Sequence, residues 1–327
     1  MVSEFAASAA RNYTGTKAKG EAPKRFLKAF IPYLGLIFIL VFFDTVNHGR
    51  LLAPRNFMPL VNQIFYTAIG ACGMAFVIAQ GNLDFSMGAV AGFAAALAAR
   101  AAGIDPLLAA PVALLVGLVV GAVNGIVHAI LNVPSFIATL AMSFMLGGLV
   151  LQVLDSGNIG LPLSMLSWDN TLLKLGTLIV LLAVGAIAFE FTRFGKHSKA
   201  IGSRIDTAIQ SGVAVRKMKI LSFMATGLTA GIVGFFAVVR SGTATAITGG
   251  GLEMDALNAL LLGGMPISGG ANSKFRSVFI GSVMVAILVN GMTMWGLGTL
   301  VQQLVKGVIF IVAVALSFDR TNTAVIK

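Results

Sequence analysis

Two apolar runs separated by a short polar segment decide the fold. Residues 57–80 read FMPLVNQIFYTAIGACGMAFVIAQ, residues 81–85 read GNLDF, and residues 86–102 read SMGAVAGFAAALAARAA. A helix needs about 20 apolar residues to cross the hydrocarbon core of a bilayer, and the first run meets that requirement without a charged residue. We therefore read two membrane segments joined by a break that contains glycine and aspartate.

The same pattern extends over the chain. Hydrophobic residues make up 57% of the 327 positions and charged residues 11%, whereas a soluble domain carries about 25% charged residues. The sequence predicts an all-α, polytopic membrane protein with about ten transmembrane helices, and the short spacers allow eight to eleven. The predicted spans are 30–46, 57–80, 86–102, 106–131, 134–154, 171–192, 218–240, 255–272, 277–297 and 299–318.

The basic residues predict the orientation. Most of the 23 lysines and arginines lie in the N-terminal tail and the central loop, which the positive-inside rule assigns to the cytoplasm. We expect a multi-pass membrane protein with both termini cytoplasmic, and the net charge of +11 does not indicate a nucleic-acid partner. The predicted parts are a tail at 1–28, a membrane domain at 29–320 with a cytoplasmic coupling loop at 193–218, and a tail at 321–327.

Glycine clusters predict broken or re-entrant helices. Clusters occur at 249–251, 263–264 and 269–270, and Pro266 interrupts the same apolar region. Irregular backbone is tolerated at membrane depth where it lines a cavity, although close packing of helices would also explain the glycines. The pairs Asn124-Gly125 and Asn290-Gly291 end similar stretches in spans of opposite direction, which predicts an inverted five-plus-five repeat.

Asp84 has two interpretations. A carboxylate between apolar runs needs a partner or a wet cavity, so Asp84 and Ser86 are candidates for a helix break beside a solute path. The alternative is that Asp84 caps the third span through backbone N–H groups, with Ser86 assisting.

The central loop carries an amphipathic stretch from Asp206 to Val213. A short helix on the membrane surface is suited to dock into a groove on a soluble partner. A basic loop that only determines topology is the alternative.

Several short motifs, in order, resemble the permeases of ribose-type ABC importers. They span about residues 30 to 320 and are Gly81–Gly88 (G-G-I-D-L-S-x-G), Pro134–Leu140 (P-x-F-I-x-T-L), Thr192–Lys196 with Ala200–Gly202 (T-x-F-G-[RK] and A-I-G), Glu253–Leu257 (E-L-D-A-I), Gly263–Gly270 (G-G-x-x-x-S-G-G), and Gln302-Gln303, Lys306-Gly307 and Ala313–Leu316. Three places depart from the family pattern: Asn82, the segment 203–212, and the segment 271–276, which is one residue longer.

The resemblance implies the partners. It implies a second copy of the permease with one path between the copies, ATP-binding cassette subunits, an extracytoplasmic solute-binding protein, a sugar-like solute and membrane lipid. It also implies a location in the bacterial inner membrane. ATP and magnesium would bind the separate ATPase, because this chain lacks a G-x-x-x-x-G-K-[ST] phosphate loop. The resemblance also implies that residues 194–213 hold the coupling helix that contacts the ATPase. Its coupling residues would be Phe194, Gly195, Ala200, Gly202, Ala208 and Gly212.

Two further sets of residues are candidates. The predicted pathway consists of Asp84, Ser86, Ser135, Phe136, Thr139 and Ser143, with Phe136 as a gate; packing is the alternative role for each. The predicted docking surface for the binding protein consists of Arg50, Arg55, Arg240, Glu253 and Asp255, for which simple solvation is the alternative.

Three other functions are alternatives. An ion-coupled carrier needs intramembrane carboxylates, and the candidates are Asp44, Asp84 and Glu190. An intramembrane enzyme is not indicated, because the chain has neither H-E-x-x-H nor G-x-S-x-G and no catalytic or metal-ligating set. A related ABC permease for nucleosides or amino acids would use the same transport mechanism for a different solute.

Overall fold

Helices form almost all of the regular structure. A computed structural model describes residues 18–155 and 157–317, with side chains for residues 30–155 and 157–315. The α-helices, in chain order, are α1 (Ala18–Val46), α2 (Phe57–Ala79), α3 (Met87–Ala102), α4 (Ala109–Ile130), α5 (Ser135–Leu154), α6 (Thr171–Ala186), α7 (Arg193–Ser203), α8 (Ile205–Gln210), α9 (Val215–Ser241), α10 (Leu252–Leu262), α11 (Arg276–Met294) and α12 (Thr299–Ser317). A π-helical turn, Ile187–Phe191, follows α6, and the two-residue strands β1 (Ile159–Gly160) and β2 (Thr243–Ala244) pair antiparallel. The all-α prediction is confirmed.

Every predicted span contains a helix. Within the described residues, six helical segments are long and apolar enough to cross a membrane: Pro54–Ala79, Pro106–Ile130, Ser135–Leu154, Thr171–Phe191, Val215–Ser241 and Arg276–Met294. Three shorter apolar helices are Phe30–Val46, Met87–Ala102 and Thr299–Ala315. The first helix begins at Ala18, inside the predicted N-terminal tail. Residues 1–17 of that tail and the predicted tail 321–327 lie outside the described residues.

The eighth predicted span, 255–272, was wrong in its extent. Helix α10 has 11 residues and ends at Leu262. At 1.5 Å per residue such a helix is about 16 Å long, roughly half of the hydrocarbon core. Gly264, Gly269 and Gly270 then adopt positive φ angles, and Pro266 cannot continue a helix. This segment is a broken helix followed by a turn, as its glycines predicted.

Helix α2 lies at the centre of the molecule. Its residues from Thr67 to Ala79 are buried without interruption, as is Gln80 directly after it, and α2 packs against α6, α9, α10 and α11. By contrast, α4, α5 and α6 expose apolar side chains such as Leu115, Phe144 and Ile179. A helix that is apolar on all sides belongs either in a core or against lipid, and both cases occur here.

The contact between α4 and α9 is made backbone to backbone. Gly117, Gly121 and Gly125 lie one turn apart on α4, and a Cβ atom at Gly121 would stand 2.4 Å from the carbonyl oxygen of Phe223. Small residues allow this approach, which gains van der Waals contact where lipid provides no hydrophobic force between helices. The spacing of four between these glycines was a visible signal that the sequence analysis did not use.

The chain has two halves, α1–α5 and α6–α12, and a long helix of each half packs on helices of the other half. Helix α9 packs on α3 and α4, while α2 packs on α10 and α11. Within the halves, α3 contacts α4 and α5, and α10 contacts α11 and α12. An inverted repeat would give this exchange. The outermost helices differ, because α1 packs on α11 whereas α6 packs on α2.

Candidate functional site

The break between α2 and α3 is held by two hydroxyl groups of α5. The backbone N–H of Leu83 donates to Ser135 Oγ at 3.2 Å, and the N–H of Phe85 donates to Thr139 Oγ1 at 3.1 Å. Ser135 and Thr139 are four residues apart, so both side chains lie on one face of the helix. Buried backbone donors that face no water need such partners. The predicted residues Ser135 and Thr139 therefore support the break.

Asp84 is buried and forms a local turn. Its carboxylate accepts hydrogen bonds from the backbone N–H of Ser86 at 2.8 Å and from the Ser86 hydroxyl at 2.7 Å. Asn124 of α4 in turn donates to Ser86 Oγ at 2.8 Å. This geometry favours the capping alternative. The bonded N–H belongs to Ser86, the residue before α3, so Asp84 orders the turn that leads into the helix.

The two remaining predicted pathway residues lie apart from this network. Phe136 is 47% exposed, and Ser143 is half-buried one turn beyond Thr139 on α5. Of the six predicted residues, the structure brings four together, namely Asp84, Ser86, Ser135 and Thr139.

The first turns of the two broken helices meet. The carboxylate of Glu253, in the first turn of α10, stands 2.1 Å from where a Cβ atom at Gly88 in the first turn of α3 would be. The N-terminus of a helix carries a partial positive charge, which makes it a favourable neighbour for a carboxylate. Gly88 therefore leaves room for Glu253 at the N-terminus of α3.

Asp255 is engaged as well. Lys306 of α12 donates to Asp255 Oδ1 at 2.7 Å, and both side chains are mostly buried. The alternative of simple solvation is therefore wrong for Asp255. Of the other predicted docking residues, Arg50, Arg55 and Arg240 are exposed.

A recess opens beside Arg240. It has a volume of about 350 Å³, and its lining includes Tyr66, Arg240 and Asp255. The Arg240 guanidinium lies 5.9 Å from the centroid of the Tyr66 ring, within the range of a cation–π contact.

Helix α7 is anchored to the core by three of the predicted coupling residues. Phe194 stacks on Phe76 of α2 with ring centroids 4.5 Å apart. A Cβ atom at Gly195 would overlap the carbonyl of Phe189, and one at Gly202 would stand 2.1 Å from the carbonyl oxygen of Ala79. These residues hold α7 in place and do not form its outer surface.

Of the other three predicted coupling residues, Ala200 and Ala208 line a groove and Gly212 lies just beyond α8. A groove of about 410 Å³ is lined by Ala200, Ser203, Arg204, Thr207, Ala208, Ser211 and Val213. Gly212 follows α8 with a φ angle of +78°, which favours glycine. The predicted coupling helix 194–213 is thus two helices, α7 and α8, that are separated by the extended residue Arg204.

Gln80 is a polar connection that the sequence analysis missed. Its Nε2 atom donates to Ser198 Oγ of α7 at 3.2 Å and to Ser222 Oγ of α9 at 2.5 Å. All three side chains are buried. The available signal was an amide side chain at the end of a long apolar run, where an unpaired polar group would be costly.

No metal-binding group was found within the described residues, where no three histidine, cysteine, aspartate or glutamate side chains come together.

Comparison with known proteins places the chain in a family. A family model described as the permease component of a branched-chain amino acid transport system matches residues 56–314. The ribose import permease protein RbsC of Bacillus subtilis is 32% identical, over 90% of this chain and 93% of that protein. The xylose transport system permease protein XylH of Haemophilus influenzae is 31% identical, over 88% of this chain and 95% of that protein. The probable ABC transporter permease protein YphD of Escherichia coli is 33% identical, over 91% of this chain and 93% of that protein.

No solved structure matches the chain. Since the family model covers most of the sequence and these relatives align over nearly their whole lengths, the chain belongs to the family of permease components of such membrane transport systems.

Proposed function

We propose that this chain is the membrane-spanning subunit of an ATP-driven, binding-protein-dependent importer of a sugar or sugar-like solute. The observation that carries the proposal is the similarity, over about nine-tenths of the chain, to permeases named for ribose and xylose transport. The chain supplies the path and no hydrolytic site of its own. ATP and magnesium bind the partner ATPase.

The ATPase docks on α7 and α8. Ile205 and Ile209 of α8 are 41% and 57% exposed beside the groove of about 410 Å³. Exposed apolar side chains beside a groove, in a segment rich in basic residues, are typical of a docking surface for a soluble partner. ATP binding moves these helices, and the path opens to the opposite side of the membrane.

Two copies form the path between them, in the bacterial inner membrane with both termini in the cytoplasm. Exposed side chains of α5, such as Phe136 and Phe144, are available to contact a second copy or lipid. On the opposite side of the membrane, Arg50, Arg55 and Arg240 are exposed and available to the binding protein. Glu253 and Asp255 are left out of this docking surface because they are engaged within the chain.

The ion-coupled alternative is disfavoured by the occupation of its carboxylates. Asp84 is bonded to Ser86, and Glu190 is paired with Lys199. Asp44 accepts a hydrogen bond from the backbone N–H of Leu52 at 3.4 Å. A carrier needs at least one carboxylate that is open to the path.

Reconstitution in proteoliposomes tests the proposal. We expect uptake of labelled ribose or xylose only when the permease, its ATPase and its binding protein are all present with ATP. Amino acids and nucleosides serve as competing solutes. Uptake by the permease alone under a proton or sodium gradient would overturn the proposal.

A further inference from the structure

Glu190 connects two cytoplasmic segments through its two carboxylate oxygens. It lies in the π-helical turn Ile187–Phe191, which joins α6 to α7. Oε2 pairs with the ammonium of Lys199 on α7, and Oε1 accepts a hydrogen bond of 2.8 Å from the backbone N–H of Phe275. One side chain thus connects α7 with the residue at which α11 starts.

The start of α11 depends on this carboxylate. The N-cap residue of α11 is Phe275, and α11 receives no hydrogen bond from a capping side chain of its own. The first N–H groups of a helix lack partners within the helix, and a negative charge is favourable there. Glu190 supplies both the acceptor and the charge from a different part of the chain.

Further contacts lie along the seam between α7 and the segment 270–275. The hydroxyl of Ser203, at the end of α7, accepts a hydrogen bond of 2.9 Å from the backbone N–H of Ala271. Gly270 donates through its backbone to the carbonyl of Ala79 at 2.9 Å, and Gly202 packs against both residues. The segment 270–275 is therefore bonded directly to the end of α7 through Ser203, and through Glu190 to Lys199 of α7.

Aromatic rings pack along this seam. Phe189 is fully buried, and its ring centroid lies 5.8 Å from that of Phe275 and 5.3 Å from that of Phe76. The Lys199 ammonium stands 4.5 Å from the centroid of the Phe189 ring. Because densely packed side chains transmit strain, we expect a displacement of α7 to reach Phe275 through these rings.

We propose that Glu190 is a positioning residue that couples movement of α7 and α8 to the turn 263–275 and α11, with Ser203 as a second link. The proposal rests on the proposed function, because the movement originates in the ATPase. When the ATPase displaces α7, the Glu190 carboxylate draws the start of α11 with it, and the broken region between α10 and α11 changes position. The linked segment includes residues 271–276, which depart from the family pattern.

Three variants test this coupling in the assembled importer. Glu190→Ala removes the acceptor for the Phe275 N–H, and Ser203→Ala removes the acceptor for the Ala271 N–H at an exposed position where folding is not at risk. Asp155→Asn, in the exposed turn after α5, is the control because it removes a carboxylate charge away from both the seam and the proposed ATPase docking surface, and asparagine tolerates its φ angle of +52°.

Two measurements are made on each variant, namely hydrogen exchange of residues 271–278 and the amount of ribose imported per ATP hydrolysed. For Glu190→Ala we expect exchange at Phe275 to accelerate and ribose per ATP to fall, each about tenfold, with the ATPase rate within about twofold of the wild type, because a charge-assisted hydrogen bond is lost. Ser203→Ala should shift both quantities in the same direction by a smaller factor, whereas Asp155→Asn should shift neither.

Unchanged exchange, or uptake and ATPase activity that fall in parallel at a constant ratio, would overturn the coupling role while leaving the importer intact. A wild-type complex that hydrolyses ATP without importing solute would instead overturn the proposed function, and this proposal with it.

Discussion

The hydroxyl of Thr139 accepts a hydrogen bond of 3.1 Å from the backbone N–H of Phe85. Through this bond α5 holds the irregular entry into α3. The second half of the molecule has a counterpart, since Lys306 of α12 reaches Asp255 in the first turn of α10 at 2.7 Å. In each half, a following helix provides the polar group that stabilises the start of a broken one, which is what irregular backbone at membrane depth requires.

Replacing Thr139 with valine tests the first of these contacts. Valine has nearly the same shape but no acceptor, so the N–H of Phe85, which is half-buried, loses its partner. We expect the free energy of unfolding to fall by about 1–3 kcal/mol. Thermal denaturation of the purified protein in detergent measures the change.

Two controls accompany this variant. Thr139→Ser keeps the hydroxyl and should retain most of the stability, while Ser143→Ala alters a half-buried hydroxyl one turn away and should have little effect. Equal denaturation temperatures for Thr139→Val and the wild type would show that the bond does not support the break.

A side chain at Gly121 should separate α4 from α9. A Cβ atom there would stand 2.4 Å from the carbonyl oxygen of Phe223, and backbone cannot rotate away as a flexible side chain does. We expect Gly121→Val to lower stability by about 3 kcal/mol or more and to reduce the yield of monodisperse protein.

The matched control is Gly147→Ala on α5, where no atom lies within 4 Å of the new methyl group. Because alanine is the better helix former, this variant should be about 0.5–1 kcal/mol more stable than the wild type. Size-exclusion profiles and denaturation curves of the pair are to be compared. Similar behaviour of the two variants would mean that the close approach of α4 and α9 is not needed.

The Lys306–Asp255 pair offers a double-mutant cycle. Removing one charge leaves the other buried without a partner, so Lys306→Met and Asp255→Asn should each lower the free energy of unfolding by roughly 3 kcal/mol. The double variant buries no charge at this position, so its free energy of unfolding should fall by less than the sum of the two single losses. Strictly additive effects in the denaturation experiments would contradict a direct interaction.

Ile209 provides a test of ATPase docking that leaves the fold intact. Gly202 and Ala208 are unsuited to this test, because both are packed against other parts of the chain. Ile209 is 57% exposed on α8. A glutamate there places a charge in the proposed apolar contact, and we expect recovery of the ATPase with the tagged permease to fall at least about tenfold.

Ile104→Glu is the control for this variant, because Ile104 is 84% exposed in the turn after α3 and lies outside the proposed docking surface. Both variants should keep the denaturation temperature of the wild type. If Ile209→Glu recovers the ATPase as well as Ile104→Glu does, α8 is not the docking element.

The positions of the helices could be predicted from the sequence because each apolar run reports locally on its environment. The run 57–80 and the helix Phe57–Ala79 differ by one residue. The prediction was least accurate for 255–272, where apolar character continues past the end of α10 at Leu262. Hydropathy does not register a backbone turn whose glycines and proline lie among apolar residues.

The individual site residues were harder to interpret. Asp84 was correctly identified as a residue that needs a partner, since an ionisable group between apolar runs is costly. That Asn124 completes its network, and that Glu253 lies at Gly88, are contacts between residues far apart in the sequence. No local pattern contains this information.

The sequence by itself determined that the chain is a multi-pass, all-helical membrane protein of this permease family, because hydropathy and ordered motifs are properties of consecutive residues. Only the tertiary structure decided which polar groups are paired. Glu190 was a candidate ion site in the sequence, yet it is bonded to Lys199 and to the start of α11. The physical reason is that a charge held partly away from water is stabilised by whichever donors the fold brings within about 3 Å, and those donors come from segments whose proximity depends on how the helices pack.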